Sequence, residues 1–316
     1  MLNRMRLNPT RHQTMCTESI SKSYIGRFAP SPTGPLHFGS LVAAVASYCD
    51  AKALHGQWLV RMEDLDRTRE LSGAADNILH SLEAFGFEWN GEITYQSKRD
   101  GLYAEALNHL QNQALIYPCT CTRKEIADSY HLIGIDGFVY HRTCLKQAIK
   151  THSKYSLRVQ VNSGEIKFKD AIKGEITQDI QNQIGDFILK RADGLFAYQL
   201  AVVVDDAQQG VTHVVRGADL LSSTSRQIYL QQCLNLPTPY YAHIPIARNA
   251  AGEKLSKQTP AKPIGATHAR QQLFDALAFL GQRPPLDLQS ASLQEIWQWA
   301  IAHWQIKLIP SELSAF

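Results

Sequence analysis

One segment near the start limits the possible folds more than any other. Tyr24-Ile25-Gly26-Arg27-Phe28 reads as a short strand, and Ala29-Pro30-Ser31-Pro32-Thr33-Gly34-Pro35 sets three prolines and a glycine into a fixed loop. Leu36 to His55 then carries Leu41, Val45 and Cys49 at helical spacing. Strand, loop and helix form one β/α unit. Gln57 to Met62 reads as a second strand running into Glu63-Asp64-Leu65-Asp66, with helices predicted at Ala74–Phe85 and about Arg99–Gln113. That alternation predicts an α/β fold with a parallel sheet.

From residue 114 to about 182 the alternation breaks. A cysteine cluster is followed by the alternating runs Leu157–Val161 and Glu165–Phe168, which predict a small antiparallel element and an insertion. Strands are then expected at Phe196–Val204, Val211–Val215 and Tyr241–Ala247, with a helix near Ser225–Leu234 between the last two. Beyond Pro260 the spacing predicts helices at Gln271–Leu280 and Leu293–Trp304. The expected division is a disordered tail 1–23, a catalytic first half 24–113, an insertion 114–182, a second half 183–258 and a helical region 259–316. Met15 is a possible alternative start within that tail.

Composition excludes several classes. With 32 Lys and Arg against 29 Asp and Glu the net charge is +3, so any nucleic-acid contact must be local and a DNA-coating role is not expected. The longest nearly continuous apolar run, Leu41 to Cys49, is far shorter than the roughly 20 residues that span a bilayer. Residues 1–23 hold no apolar core of a secretory signal, so a cytoplasmic protein without a membrane partner is expected. Six cysteines are too few for a disulfide scaffold of this length, and Cys119, Cys121 and Cys144 cluster in a way that suggests a metal. Tetrahedral zinc needs a fourth ligand, and Tyr140, His141 and His131 all lie nearby in sequence.

Two further strings suit phosphate chemistry. His37-Phe38-Gly39-Ser40 opens a helix, where free backbone N–H groups and the helix dipole favour an anion and Gly39 allows close approach. Lys254-Leu255-Ser256-Lys257-Gln258 places two lysines where they could wrap a polyphosphate and stabilise a departing pyrophosphate.

The run from Arg27 to Ser40, together with Lys254–Gln258, resembles the glutamate branch of the class I aminoacyl-tRNA synthetases. His-Phe-Gly-Ser stands for that class's His-Ile-Gly-His signature, and Lys-Leu-Ser-Lys-Gln for Lys-Met-Ser-Lys-Ser, with Ser40 and Gln258 as departures. Arg61–Asp66, Gly194–Asp206 and Val215–Leu220 extend the resemblance over about Tyr24 to Gln258. It implies a Rossmann-like catalytic domain with an inserted zinc-binding subdomain and a short helical C-terminal region. It implies ATP contacts from His37, Gly39, Ser40, Ser256 and Lys257, with His37, Ser40, Lys254 and Lys257 catalytic and Mg²⁺ accompanying ATP. Arg27, Ser31, Glu63, Tyr198 and Arg216 are the implied glutamate site: guanidinium groups for the two carboxylates, Glu63 for the ammonium, Tyr198 for a neutral hydrogen bond.

The spacing Cys119-x-Cys121 and Tyr140-x₃-Cys144 resembles the glutamyl-Q tRNA(Asp) synthetases, which implies one structural zinc per chain with Tyr140 as fourth ligand. Only 59 residues follow Lys257, which is expected to leave no room for an anticodon-reading domain. The implied activity is glutamate activation and transfer to the cyclopentene-diol of queuosine in the anticodon loop of tRNA(Asp). The alternatives are a truncated enzyme charging a tRNA 3′ end, or a non-catalytic binding paralogue.

Overall fold

In the computed structural model the described residues are 23–129, 132–140, 142–146, 154–162, 164–247 and 263–312. The expected tail and Lys254–Gln258 lie outside them, Ser23 apart. The first unit runs β1 (Ile25–Phe28), α1 (Phe38–Ala53), β2 (Gln57–Met62), α2 (Ala74–Ala84), β3 (Thr94–Tyr95) and α3 (Asp100–Asn112). β1 and β2 are parallel with Ile25 opposite Gln57 and Phe28 opposite Val60, and β3 joins the far side of β2, also parallel.

The chain continues through β4 (Ile116–Cys119), α4 (Arg123–Ser129), β5 (Ile133–Gly134), β6 (Gly137–Phe138), β7 (Ser156–Val159), β8 (Glu165–Asp170), β9 (Gly174–Asp179), α5 (Ile180–Gln183) and β10 (Phe187–Lys190). β7 lies between β4 and β10, antiparallel to both, and β8 pairs antiparallel with β9. Antiparallel pairing is thus present where the alternating runs predicted it. β8 also makes one parallel bridge, Asp170 to Tyr241, which ties this region to the sheet beyond it.

α6 (Tyr198–Gln208), β11 (His213–Gly217), α7 (Leu221–Cys233), β12 (Tyr240–Ile244), α8 (Ala269–Phe279) and α9 (Leu293–His303) complete the described chain. The strand expected over Phe196–Val204 is instead α6, preceded only by a bridge from Phe196 to Lys190. Leu200 to Asp206 are all buried, because α6 packs against α3, α7 and β10. A helix covered on every side shows no polar stripe, so its apolar run mimics a buried strand.

β11 and β12 are parallel, and β11 lies beside β1, where the Thr212 N–H donates to the Ile25 carbonyl at 2.9 Å. Strand order therefore reverses at the β1/β11 seam. α1 crosses that seam, covered by α8 and α9 on its other side, which explains why it is apolar nearly all round. Its buried Asp50 is satisfied by the Tyr24 hydroxyl at 2.6 Å and the Trp304 indole at 3.0 Å. Trp58, Tyr48, Phe87 and Trp297 stack edge and face with centroids 4.8–5.4 Å apart, pinning α9 to β2. No helix among the described residues is long and apolar enough to cross a membrane.

Candidate active site

Two cavities meet where strand order reverses, at the carboxyl ends of β1, β2 and β11. The first, about 520 Å³, is lined by Arg27, Ser31, Glu63, Tyr198 and Arg216 among others, so all five expected amino-acid ligands share one chamber. The second, about 590 Å³, is lined by His37, Gly39 and Ser40. Phe28, Ala29, Ser31, Ala43, Arg69 and Gly217 border both. Crevices at such reversal points are where open parallel sheets bind ligands, because the two adjoining loops diverge there.

Each side chain is delivered by a simple local feature. Arg27 is buried on β1 and lines the first cavity, and Glu63 is the first residue beyond β2. Gly34 in the loop that follows β1 has φ +147°, a conformation costly for any side chain. His37 caps α1: its extended backbone (φ −118°, ψ 173°) lets Nδ1 accept from the Ser40 N–H at 3.3 Å. No acidic residue sits in the first turn of α1, so its positive end is left for an outside anion.

Electrostatics divide the arginines into two kinds. Arg27 donates to both carboxylate oxygens of Asp206, at 3.2 and 3.4 Å, and Arg61 reaches the same carboxylate at 2.8 Å. Arg61 also donates to Gln209 at 2.7 Å and to Glu63 at 3.4 Å. Burial alone would raise the Asp206 pKa, but Arg27 and Arg61 override it and hold the carboxylate below its ordinary value. Glu63 goes the other way, since burial outweighs the same two guanidinium groups and raises its pKa.

Arg216 has only neutral partners among the described residues. It donates to His243 at 3.1 Å, Thr224 at 2.8 Å and Gln227 at 2.8 Å, with longer contacts to the Leu220 carbonyl and the Tyr198 hydroxyl. A buried guanidinium without a carboxylate is costly unless a ligand supplies one. Lys254, Ser256 and Lys257 lie outside the described residues. Sequence reasoning assigned no role to Arg61, Asp205, Asp206 or His243. Arg61 between Val60 and Met62, and the pair Asp205-Asp206 ending a valine run, were the available signals, since charges within apolar runs are buried only when paired.

A second cluster forms at the end of β4. The Sγ atoms of Cys119, Cys121 and Cys144 lie within 4.8 Å of one another, and the Tyr140 hydroxyl is 3.4 Å from the first and 3.7 Å from the second. Ligands of one metal ion with metal–sulfur bonds near 2.3 Å stand within about 4 Å of one another, and the Cys121 and Cys144 sulfurs are 3.4 Å apart, so the three-cysteine cluster could hold a metal ion. Burial works against the Cys144 thiolate, but hydrogen bonds from the Tyr140 hydroxyl and the Thr120 N–H outweigh it and bring the thiol down to about 6. His131 and His141 lie outside the described residues.

The sequence model of the family "tRNA synthetases class I (E and Q), catalytic domain" matches residues 25–295. A curated relative from Dechloromonas aromatica named glutamyl-Q tRNA(Asp) synthetase is 53% identical over 93% of this chain and 98% of its own length. One from Aromatoleum aromaticum with the same name is 53% identical over 94% of each chain. A crystal structure of a glutamate-tRNA synthetase from Elizabethkingia anophelis superposes with a TM-score of 0.75 at 22% identity, covering 93% of this chain and 68% of that one, which is a likeness of fold. The protein therefore has the mixed α/β fold of the class I synthetases, and with this identity along nearly its whole length it belongs to the glutamyl-Q tRNA(Asp) synthetase family.

Proposed function

We propose that this chain is a ligase that activates L-glutamate with ATP and transfers the glutamyl group to the cyclopentene-diol of queuosine in the anticodon loop of tRNA(Asp). The observation that carries the amino-acid half is Arg216, a buried guanidinium lining a cavity with no carboxylate partner among the described residues. The acceptor is supported by the names of relatives matched over nearly their full length.

Glutamate occupies the first cavity, with Arg216 and Arg27 taking its carboxylates, Glu63 its ammonium, and Ser31 and Tyr198 adding hydrogen bonds. ATP occupies the second, its phosphates at the start of α1 near His37, Gly39 and Ser40, and Lys254, Ser256 and Lys257 supply further phosphate contacts in this reading. A glutamate carboxylate oxygen attacks the α-phosphorus, the bond to pyrophosphate breaks, and glutamyl-adenylate forms. A diol hydroxyl then attacks the acyl carbon and AMP leaves. Mg²⁺ bound with the nucleotide would screen the phosphate charge beside His37 and Ser40.

The two parallel units, β1–β2–β3 and β11–β12, are the halves of a Rossmann-like domain in this reading, with 114–182 inserted between them and 259–316 as the helical close. Zinc is the metal that the donor set Cys119, Cys121, Tyr140 and Cys144 suits. When bound, it cross-links the end of β4 to the turn at Cys144. The protein is expected to work in the cytoplasm, where its tRNA substrate is.

Labelled glutamate offered to an isolated tRNA(Asp) anticodon stem-loop tests the acceptor. The expected result is label on the stem-loop carrying queuosine and none on the same stem-loop carrying guanosine. Label appearing only at the 3′ end of intact tRNA would replace this reading with tRNA charging.

A further inference from the structure

His243 is fully buried on β12, and its Nδ1 lies 2.6 Å from the Asp170 carboxylate at the end of β8. Its other ring nitrogen, Nε2, faces Arg216 Nε at 3.1 Å and the Thr224 hydroxyl at 3.0 Å. Carboxylates only accept hydrogen bonds, so the Nδ1 proton is the one that satisfies Asp170. That leaves the Nε2 lone pair free to accept from the Arg216 Nε–H. Asp170 is pinned in turn: its Oδ1 accepts from the backbone N–H groups of Ile172, Lys173 and His243, at 2.8–3.2 Å, which directs Oδ2 at the imidazole.

Of the five guanidinium protons on Arg216, the one on Nε goes to His243 and the two on Nη2 go to Thr224 and Gln227. Among the described residues Nη1 keeps only a 3.5 Å contact with the Tyr198 hydroxyl, and Tyr198 and Arg216 both line the first cavity. Resting on the glutamate reading above, we propose that the Asp170–His243 pair is a positioning device for substrate recognition: it holds Arg216 by a neutral acceptor, so that Nη1 and the undiminished positive charge are presented to a substrate carboxylate. A carboxylate in the place of His243 would neutralise that charge. Burial lowers the His243 pKa and Arg216 adds to that shift, outweighing Asp170 and Asp219, so the surroundings favour the neutral ring.

Glutamate-dependent pyrophosphate exchange in three variants tests this. His243→Leu removes the acceptor and is expected to raise the KM for glutamate roughly ten- to hundredfold while the KM for ATP stays within about twofold. His243→Gln is expected to restore most of the loss, because its amide oxygen reaches the position of Nε2. Asp170→Asn keeps the backbone contacts through Oδ1 but turns a donor toward Nδ1, forcing the proton onto Nε2 and against the Arg216 N–H. It is expected to raise the glutamate KM as well, and it carries the test alone if the leucine variant does not fold. Unchanged glutamate KM values, or equal losses for glutamate and ATP with no rescue by glutamine, overturn the positioning role. A wild-type chain that exchanges no pyrophosphate with glutamate defeats the glutamate reading and this inference together.

Discussion

At the scale of single residues, a buried charge is useful to a ligand only to the extent that the protein leaves it unneutralised. Arg27 and Arg61 share Asp206, whereas Arg216 is held by hydroxyl, amide and imidazole groups. Arg216→Ala is therefore expected to lower kcat/KM for glutamate by roughly thirtyfold to several thousandfold, the range for truncating one side of a buried hydrogen-bonded charge pair. Pyrophosphate exchange measures it, and a loss under fivefold would count against the assignment by this scale. Asp206 sets a pH dependence. Its folded pKa lies below the unfolded value of about 3.9, so the native state binds fewer protons there, and the stability it adds above that pH is lost as pH falls through the folded value. Urea unfolding between about pH 3 and 6 is expected to show a shallower acid slope for Asp206→Asn than for the wild type. The residue types at Arg27, Glu63, Tyr198 and Arg216 were readable as glutamate ligands only through family resemblance. The partners that decide their charge, Asp206 and His243, were not, because they lie 179 and 27 positions away in the chain.

Among the elements, the helices with a polar face were read closely, and one fully covered helix was not. β2 matches its sequence reading residue for residue, and α8 and α9 start within two residues of theirs, since polar positions mark the solvent side of those two helices. α6 was misread as a strand because its neighbours bury Leu200 to Asp206 without interruption. The start of α9 carries its own signature: Ser292 accepts from the Glu295 N–H at 3.3 Å while Glu295 reaches back to the Ser292 N–H at 2.8 Å. Ser292→Ala is expected to cost about 1 kcal/mol, read by chemical denaturation. The Cys119, Cys121 and Cys144 cluster joins the end of β4 to the turn at Cys144, so a metal there is a link between elements. Chain purified with Cys144→Ser is expected to lose its bound zinc by elemental analysis, while pyrophosphate exchange falls less than it does for Arg216→Ala; retention of a full zinc complement would rule out Cys144 as a ligand.

Over the whole molecule, the described walls of both cavities come from β1, β11, β12, α1, α6 and the loops that follow β1, β2, β3, β10, β11 and β12, with no contribution among the described residues from β4 to β7. Glutamate activation is accordingly expected without any tRNA present, and exchange that appears only after tRNA is added would show that the site is completed by the RNA. The sequence by itself determined the alternation of strands and helices from β1 to α3, the loop that aims the start of α1 and the cysteine spacing. These are local properties, written in periodicity, in proline and glycine placement and in charge within a few positions. Only the tertiary structure decided that β11 docks beside β1, that Arg27 and Arg216 face one cavity, and that Asp170, from the region read as an insertion, reaches Arg216 through His243. Those facts depend on which strands pair across nearly two hundred residues, and pairing is chosen by the joint burial of both faces of the sheet, a quantity that no short stretch of sequence contains.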